Sequence, residues 1–224
     1  MKLKWWNRLW GSAVAEAPTP KEAIRRVGLT LPEWNEEAPD GGMRVWRDAD
    51  RNVLSLAAVD VPDVFEGAEI RQWCRDFAQG CHAGLIEVKN VAGPMGPAVS
   101  LIYKRLQMPA YVFTGMLFNS VQGETFVWTV VAGERGTTGV REAVVTAELM
   151  ETGKLTVADY QQSWAKDPYD PSYRGVDGNV LRFMSDDECY DERFSDHPLS
   201  KVRRVLTLLP SHVDFDSREP QAKT

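Results

Sequence analysis

Apolar residues along the middle of the chain, from residue 43 to residue 150, follow two different spacings. Alternation of apolar and polar positions is typical of strands, and recurrence every three to four residues is typical of helices. Helical spacing predicts helices over residues 68–80 and 140–150. Alternation predicts a hairpin of two strands within residues 43–60 and four further strands, at residues 85–93, 97–106, 110–118 and 124–132.

The connections between the last four predicted strands are short, and one of them is little more than Met108-Pro109. A parallel return requires a crossover of about a dozen residues or more, so short connections favour antiparallel neighbours. Helices must then cover the faces of the sheet to bury their apolar stripes. The sequence therefore predicts an α+β fold, with a mainly antiparallel sheet of about six strands flanked by helices.

Changes in amino-acid composition along the sequence divide the chain into four parts. Residues 1–18 are predicted to form a Trp-rich amphipathic arm and an alanine-rich linker, and residues 19–153 to form the α+β core domain. Residues 154–212 mix aromatic residues with Asp-Pro pairs and glycines, and we expect them to wrap over the core as an extension. Residues 213–224 are polar and are predicted to be a flexible tail.

The extension is predicted to end in an amphipathic helix that begins at Pro198, because proline is favoured at the first helical position. The charged residues Lys201, Arg203 and Arg204 are expected on its outer side. The apolar residues recur at helical spacing and are expected on the inner side: Leu199, Val202, Val205, Leu206 and Leu209.

Charge and composition narrow the classes of function. The formal net charge of -6 argues against a nucleic-acid-binding protein, which needs a basic surface to meet phosphates, and favours a basic partner. No apolar run approaches the roughly 20 residues of a membrane-spanning helix. Three scattered cysteines do not form a secreted disulfide framework, so we expect a reducing compartment, the cytoplasm.

Eight tryptophans are many for a chain of this length, and several of them fall outside the predicted strands and helices. An amphipathic ring in a loop or arm often marks a contact surface. Burial beneath the extension is an equal alternative for Trp34 and Trp164. The candidate contact residues are Trp5, Trp6, Trp10, Trp34 and Trp164.

The arm of residues 1–10 carries Lys2, Lys4 and Arg8 among its tryptophans and leucines. Indole rings prefer the level of the lipid headgroups, and cations are attracted to anionic lipid. Weak peripheral attachment to the inner membrane is therefore one interpretation of the arm. Docking of its tryptophans on the same domain or on a protein partner is the other.

Two groups of residues could hold a metal ion, and packing or capping explains both more simply. Cys74, Cys81, His82 and Cys189 lack the paired spacing of a zinc site. The acidic cluster Asp186, Asp187, Glu188, Asp191 and Glu192 lacks the alternating ligands and central glycine of a calcium loop. We expect neither a metal ion nor a cofactor.

Two further groups are candidates for chemistry. The turn that precedes the second helix could present backbone N–H groups to an anion, although it lacks the lysine of a phosphate-binding loop. Its candidate residues are Gly136, Thr137, Thr138, Gly139 and Arg141. A hydrolase-like site could be assembled without a marked nucleophile, and its candidate residues are Asp187, Glu188, Asp196 and His197.

The order of elements from Met43 to Met150 resembles the PsbP-like α/β/α sandwich of photosystem II extrinsic proteins, bacterial DcrB-like lipoproteins and a eukaryotic Ran-binding factor. The chain also looks like an uncharacterised family of bacterial proteins. Five segments carry that second resemblance: Leu85-Ile86-Glu87-Val88, Ile102-Tyr103-Lys104, Gly136-Thr137-Thr138-Gly139-Val140-Arg141-Glu142-Ala143, Asp167-Pro168-Tyr169-Asp170-Pro171 and Asp196-His197-Pro198-Leu199-Ser200. The broader resemblance implies non-enzymatic binding, because PsbP-like domains mostly act as adaptors, assembly factors or chaperones.

These observations favour a non-catalytic binding or adaptor protein with a protein partner. A chaperone-like or immunity-like protein that covers a basic or apolar client is a narrower form of the same hypothesis. The hydrolase-like enzyme and the peripheral membrane protein are the alternatives.

Overall fold

A computed structural model of the chain describes residues 24, 27–38, 42–59, 68–121, 124–175 and 180–215. The strands in these ranges are β1 (Val27–Leu29), β2 (Asn35–Glu36), β3 (Arg44–Arg47), β4 (Val53–Val59), β5 (Gly84–Gly93), β6 (Gly96–Gln107), β7 (Ala110–Val121), β8 (Glu124–Gly133), β9 (Ala165–Lys166), β10 (Arg182–Phe183) and β11 (Val213–Phe215). Seven of them form one antiparallel sheet in the order β2-β3-β4-β8-β7-β6-β5. The fold is therefore α+β with a large antiparallel sheet, as predicted.

The predicted hairpin and the four later strands are all present in the large sheet as β3 to β8. The seventh strand, β2, is not among the six strands predicted from the sequence. It is two polar residues long and has no alternation, so only its pairing with Trp46 and Arg47 of β3 defines it. Bidentate contact between Glu36 and Arg44 reinforces that pairing.

Three longer helices are described, α1 (Ala68–Gly80), α2 (Val140–Glu151) and, after the single turn α3 (Tyr160–Ser163), α4 (Pro198–His212). Helix α1 packs on one face of the sheet, where Cys74 and Phe77 meet Tyr103 and other side chains of β5 to β8. Helix α4 packs on the opposite face, where its apolar residues meet Leu117 and Trp128. Both faces of the central strands are therefore buried.

The five apolar residues of α4 predicted to face inward are all buried. Close approach of this helix to the sheet depends on Gly115 of β7. A Cβ atom at Gly115 would lie 2.5 Å from Val202 Cγ1 and 2.8 Å from Leu206 Cδ1. A larger residue at Gly115 would force the side chains of Val202 and Leu206 to move.

The described part of the extension is attached to the core by specific contacts. The carboxylate of Asp167 forms a bidentate ion pair with Arg75 of α1. The Tyr169 hydroxyl accepts the Val88 N–H and donates to the Val88 carbonyl, so it occupies the outer edge of β5. A third apolar cluster, which includes Val145 and Leu155, lies between α2 and the extension.

Several predictions concern residues outside the described ranges. The arm of residues 1–10, the linker and residues 216–224 are among them. The first three residues of the predicted flexible tail instead form β11, which pairs with β1. Among the described residues, no helix combines the length and the apolar character needed to cross a membrane.

Candidate functional site

A fully buried ion pair joins the sheet to the extension. Lys104 of β6 and Asp186 of the 3-10 turn Met184–Asp186 both have side chains that are 0% exposed. Lys104 Nζ lies 2.6 Å from Asp186 Oδ2 and 3.1 Å from the centre of the Phe183 ring. Burial lowers the pKa of Lys104, and the Asp186 carboxylate opposes that shift. Asp186 also accepts the Phe183 N–H, so one carboxylate holds both the lysine and the turn.

The guanidinium of Arg141, in the first turn of α2, is also fully buried. Its Nε donates to the Ser185 carbonyl at 2.6 Å and its Nη2 to the Asp187 carbonyl at 2.9 Å. Its Nη1 donates to Asp191 Oδ1 and to Ser200 Oγ, both at 2.9 Å. One side chain therefore fastens α2 to α4 and to the two 3-10 turns of the extension, Met184–Asp186 and Glu188–Tyr190.

Arg203 of α4 was predicted to face solvent, but its side chain is only 10% exposed. Its Nη2 lies 3.1 Å from Glu87 Oε2 of β5 and donates to the Asp186 carbonyl at 2.7 Å. Its Nη1 lies 3.0 Å from both carboxylate oxygens of Asp191. Helical spacing alone would place Arg203 on the charged, outer side of α4. Its side chain is buried because it contacts residues that are distant in the sequence.

These groups form one buried polar network, defined here as Glu87, Lys104, Arg141, Asp186, Asp191 and Arg203. Each cation in the network faces a carboxylate, and several backbone carbonyls are satisfied as well. The network therefore fixes the extension on the sheet, and among its buried side-chain nitrogen and oxygen atoms only Asp186 Oδ1 has no hydrogen-bond partner in the described residues. Residues held in buried ion pairs and hydrogen bonds stabilise the structure and are poorly placed to exchange protons with a substrate.

A second cluster, Glu134, Glu142 and His197, lies where α2 and α4 begin. One ligand atom from each of the three residues lies within 4.8 Å of the others. Glu134 accepts the Tyr111 N–H at 2.9 Å and the Gly139 N–H at 2.8 Å. His197 is the N-cap of α4, and its Nδ1 accepts the Leu199 N–H at 3.2 Å. Its Nε2 lies 3.9 Å from Glu142 Oε1.

Burial and neighbouring charges shift the titration of this cluster. Burial raises the pKa of Glu142, because the carboxylate loses hydration. Burial lowers the pKa of His197 to about 4, and the positive charges of Arg141 and Lys104 add to that effect. His197 is therefore neutral at pH 7.

The titration of His197 leads to a stability prediction. Its pKa in the folded state, about 4, lies below the ordinary value of 6.5, so the unfolded chain binds this proton first. The contribution to stability is complete above pH 6.5 and is lost as the pH falls toward 4. At about 1.4 kcal/mol per pKa unit, the loss is about 2–3 kcal/mol.

The variant His197→Asn isolates this contribution, because asparagine is a good N-cap that does not titrate. We expect the free energy of unfolding of the wild type to fall by about 2–3 kcal/mol more than that of His197→Asn between pH 6.5 and pH 4. Urea denaturation at several pH values measures both. Parallel pH profiles for the two proteins would show that His197 is not the titrating group.

An open cleft of about 610 Å³ lies beside the network, between α4 and strands β5 and β6. Helix α4 covers β7 and β8 more fully than β5, so part of this sheet face stays open. The cleft is floored by the apolar side chains of Val91, Ile102, Leu117 and Leu206. Its charged rim contains Glu87, Lys89, Glu188, Asp191, Glu192, Arg203 and Arg204.

The acidic cluster of the sequence is divided by the fold. Asp186 belongs to the buried network, and Asp187 accepts the Cys189 N–H and pairs with Arg182. Glu188, Asp191 and Glu192 line the cleft. The Glu188 side chain is 65% exposed and pairs with Lys89.

The four residues proposed for a hydrolase-like site do not share one cavity, although Asp187 and Glu188 both line a small cavity of about 230 Å³. Glu188 lines the large cleft, whereas Asp196 and His197 line a separate cavity of about 390 Å³ at the starts of α2 and α4. Asp187 lines neither of these two cavities. The geometry therefore does not bring these four side chains around one reacting atom.

The predicted anion-binding turn is already engaged with groups of the same chain. The Gly139 N–H at the start of α2 donates to Glu134, so a carboxylate occupies the place of an external anion. Arg141 points into the buried network and away from the turn. Neither Thr137 nor Thr138 caps the helix, because the N-cap is Gly139 with a φ of 73°.

The described tryptophans pack inside the protein. Trp164 is only 7% exposed and stacks on Tyr160 and Phe183, so the structure places it in a core cluster and not on a contact surface. Trp34 is partly buried against the α4 core. Trp5, Trp6 and Trp10 lie outside the described residues.

The cysteines of the zinc alternative are separated. Cys74 and Cys81 are buried in the α1 core, where burial raises the pKa of each thiol to about 12. Cys189 is exposed on the extension. Buried thiols held in the protonated form pack as small apolar groups.

Lys104, Glu142 and Arg203 are not among the candidate site residues predicted from the sequence. Lys104 carries a usable signal, because it continues the run Leu101-Ile102-Tyr103 in the middle of a predicted strand. A lysine at such a position requires a buried anion.

Comparison of the chain with protein-family models and with curated protein sequences gave no match.

Proposed function

We propose that the chain is a non-catalytic binding protein and that its binding site is the cleft between α4 and strands β5 and β6. The observation that carries this function is an open cleft with an apolar floor, bordered by exposed charged side chains of both signs. Cavities of a few hundred cubic ångströms with apolar linings and a few polar groups are typical binding sites. The cleft is wide enough for side chains of a partner, since it holds about 610 Å³.

The chemistry of the rim indicates the partner. Glu188 and Glu192 are both exposed and line the cleft; Glu188 pairs with Lys89, which leaves Glu192 as an acidic group for a partner. The whole chain has a net charge of -6, which favours encounter with a basic partner. A protein segment with apolar side chains for the floor and a lysine or arginine for the rim therefore fits best.

The layering of the fold is consistent with this function. Helices on both faces of the sheet are what the resemblance to PsbP-like adaptors and chaperones implies, and membership of that fold family is part of the proposal. A chaperone-like or immunity-like role is its narrower form, and a cytoplasmic location belongs with it. Catalysis is not included, because the four hydrolase-like candidate residues are divided among different cavities.

Selection of peptides from an unbiased display library on the full chain tests the function. We expect enriched peptides to combine apolar residues with a lysine or arginine. The variant Leu208→Glu places a charge in the cleft at a residue that is already 36% exposed, so the fold should be preserved. It should weaken binding of the selected peptides by about tenfold, the loss of one good apolar contact.

The matched control is Val157→Glu, a similar change at a residue that is 84% exposed and does not line the cleft. Isothermal titration calorimetry should give the same affinity for this variant as for the wild type. The charge reversal Glu192→Lys should weaken binding of the selected peptides, because the new lysine repels their basic residue. Equal affinities for Leu208→Glu and Val157→Glu would refute binding in the cleft.

A further inference from the structure

The cluster of Glu134, Glu142 and His197 carries negative charge that the neighbouring network does not balance. Within the network, the three cations Lys104, Arg141 and Arg203 face three carboxylates, those of Asp186, Asp191 and Glu87. Among the described residues, neither Glu134 nor Glu142 forms an ion pair with a lysine or arginine. Within the described part of the chain, these two carboxylates therefore have no lysine or arginine partner, and a divalent cation would supply the missing positive charge.

The same cluster contains buried polar atoms that lack partners. Both carboxylate oxygens of Glu142 are buried without a hydrogen bond to the described part of the chain, and so is His197 Nε2. The His197 side chain is only 8% exposed, and its Nε2 points toward Glu142 at 3.9 Å. Burial of unsatisfied polar atoms costs free energy, so such a set indicates a bound group.

The hydrogen bond at the start of α4 determines which role His197 can take. Because Nδ1 accepts the Leu199 N–H, the proton of the neutral ring must be on Nε2. His197 therefore presents an N–H donor to the cluster and not a lone pair. The metal-binding atoms are then carboxylate oxygens, which are the ligands of hard cations.

We propose that Glu134 and Glu142 bind a hard divalent cation of the Mg²⁺ or Mn²⁺ type, and that His197 donates from Nε2 to a water molecule bound to that cation. Ligand oxygens about 2.0–2.1 Å from such a cation lie about 3–4 Å from one another, so donor atoms within 4.8 Å have to move closer together when the ion binds. Glu134 and His197 line the open cavity of about 390 Å³, which Arg135, Arg193 and Lys201 also line, so this side of the cluster can be reached from solvent.

This site is independent of the cleft and of peptide binding. It lies at the starts of α2 and α4, whereas the cleft follows the rest of α4. The cation would hold the first turns of both helices together. His197 is a positioning residue in this arrangement, because it acts through a water molecule.

The test is a titration of the full chain with Mn²⁺, followed by electron paramagnetic resonance and by amide NMR spectra. We expect one saturable site, with paramagnetic broadening centred on the amides of residues 139–142 and 197–199. This map needs no substitution, so it remains decisive if a variant fails to fold. Broadening centred on the exposed acids Glu188 and Glu192, or no saturable binding at millimolar Mn²⁺, would overturn the site.

Three variants assign the roles. Glu142→Gln keeps the shape of the side chain, removes its charge, and should abolish saturable binding. Glu148→Gln changes an exposed residue of the same helix and should bind Mn²⁺ as the wild type does. His197→Asn keeps an N-cap and should weaken Mn²⁺ binding by about tenfold. Unchanged affinity in Glu142→Gln overturns the site, and unchanged affinity in His197→Asn overturns the role of His197.

Discussion

The substitution Asp186→Asn is expected to lower the free energy of unfolding by about 3–5 kcal/mol. The change removes the anion that faces Lys104, and both side chains are fully buried. Lys104 would then have to remain charged in an apolar site or lose its proton, and either state costs free energy. Asparagine keeps a carbonyl oxygen that accepts the Phe183 N–H. The decrease in the free energy of unfolding is therefore due to the lost charge and not to a lost hydrogen bond in the turn. Urea denaturation at pH 7 measures the effect.

Two comparisons make this prediction specific. The double variant Lys104→Met with Asp186→Asn removes both charges and should recover most of the stability, since a buried pair is often replaceable by apolar groups. The control Asp50→Asn breaks the ion pair with Lys201, in which the Asp50 side chain is 54% exposed. Its effect should be far smaller. Equal losses for Asp186→Asn and Asp50→Asn would contradict the structural role of the buried pair.

The substitution Arg141→Met is expected to cost about 4 kcal/mol, because it leaves buried carbonyl groups without donors. Ser185 and Asp187 each lose the donor to their carbonyl oxygen, and Asp191 loses one of its two arginine partners. The more conservative Arg141→Lys should still cost about 3 kcal/mol, since a single ammonium cannot reproduce the planar fork. Chemical denaturation gives both values.

Hydrogen exchange distinguishes a local from a global effect of these arginine variants. Amides in the segment from residue 185 to residue 191 should exchange faster, because that segment loses its attachment to α2. The matched control is Arg193→Lys, at an exposed arginine that pairs with Glu148. It should leave both stability and exchange near the wild-type values. An Arg141→Lys variant as stable as Arg193→Lys would mean that the network is dispensable.

Periodicity in the sequence was sufficient to predict the sheet and the helices that cover it. Strands β6 to β8 are buried on both faces over most of their length, so their apolar and β-branched residues are dense, and short connections join them. Helix α4 was predicted with its five inner residues, because apolar spacing along a helix is set by its own geometry. Strand β2 was missed, since its two residues carry no pattern of their own.

The buried network could not be predicted from local patterns. Its members are far apart in the chain: Lys104 and Asp186 are separated by 82 residues, and Glu87 and Arg203 by 116. A charged residue in a sequence indicates an exposed position unless its partner is known. The segments quoted for the family resemblance nevertheless supply Glu87, Lys104 and Arg141 to this network.

The cleft was unpredictable for a related reason. It exists because α4 crosses the sheet above β7 and β8 and leaves β5 less covered. That position depends on the absence of a side chain at Gly115 and on the attachment of Arg203 to Glu87. The sequence contains these residues, but it does not show that α4 crosses the sheet at Gly115 or that Arg203 pairs with Glu87.

The cleft as the binding surface is tested most directly by NMR mapping of a selected peptide on the full chain. We predict that the largest amide shift changes occur at residues 89–92 of β5 and 203–208 of α4, on the two sides of the cleft. Amides of α1, on the opposite face of the sheet, should remain unchanged. The largest changes at α1 or at α2, with little change along the cleft, would contradict the account.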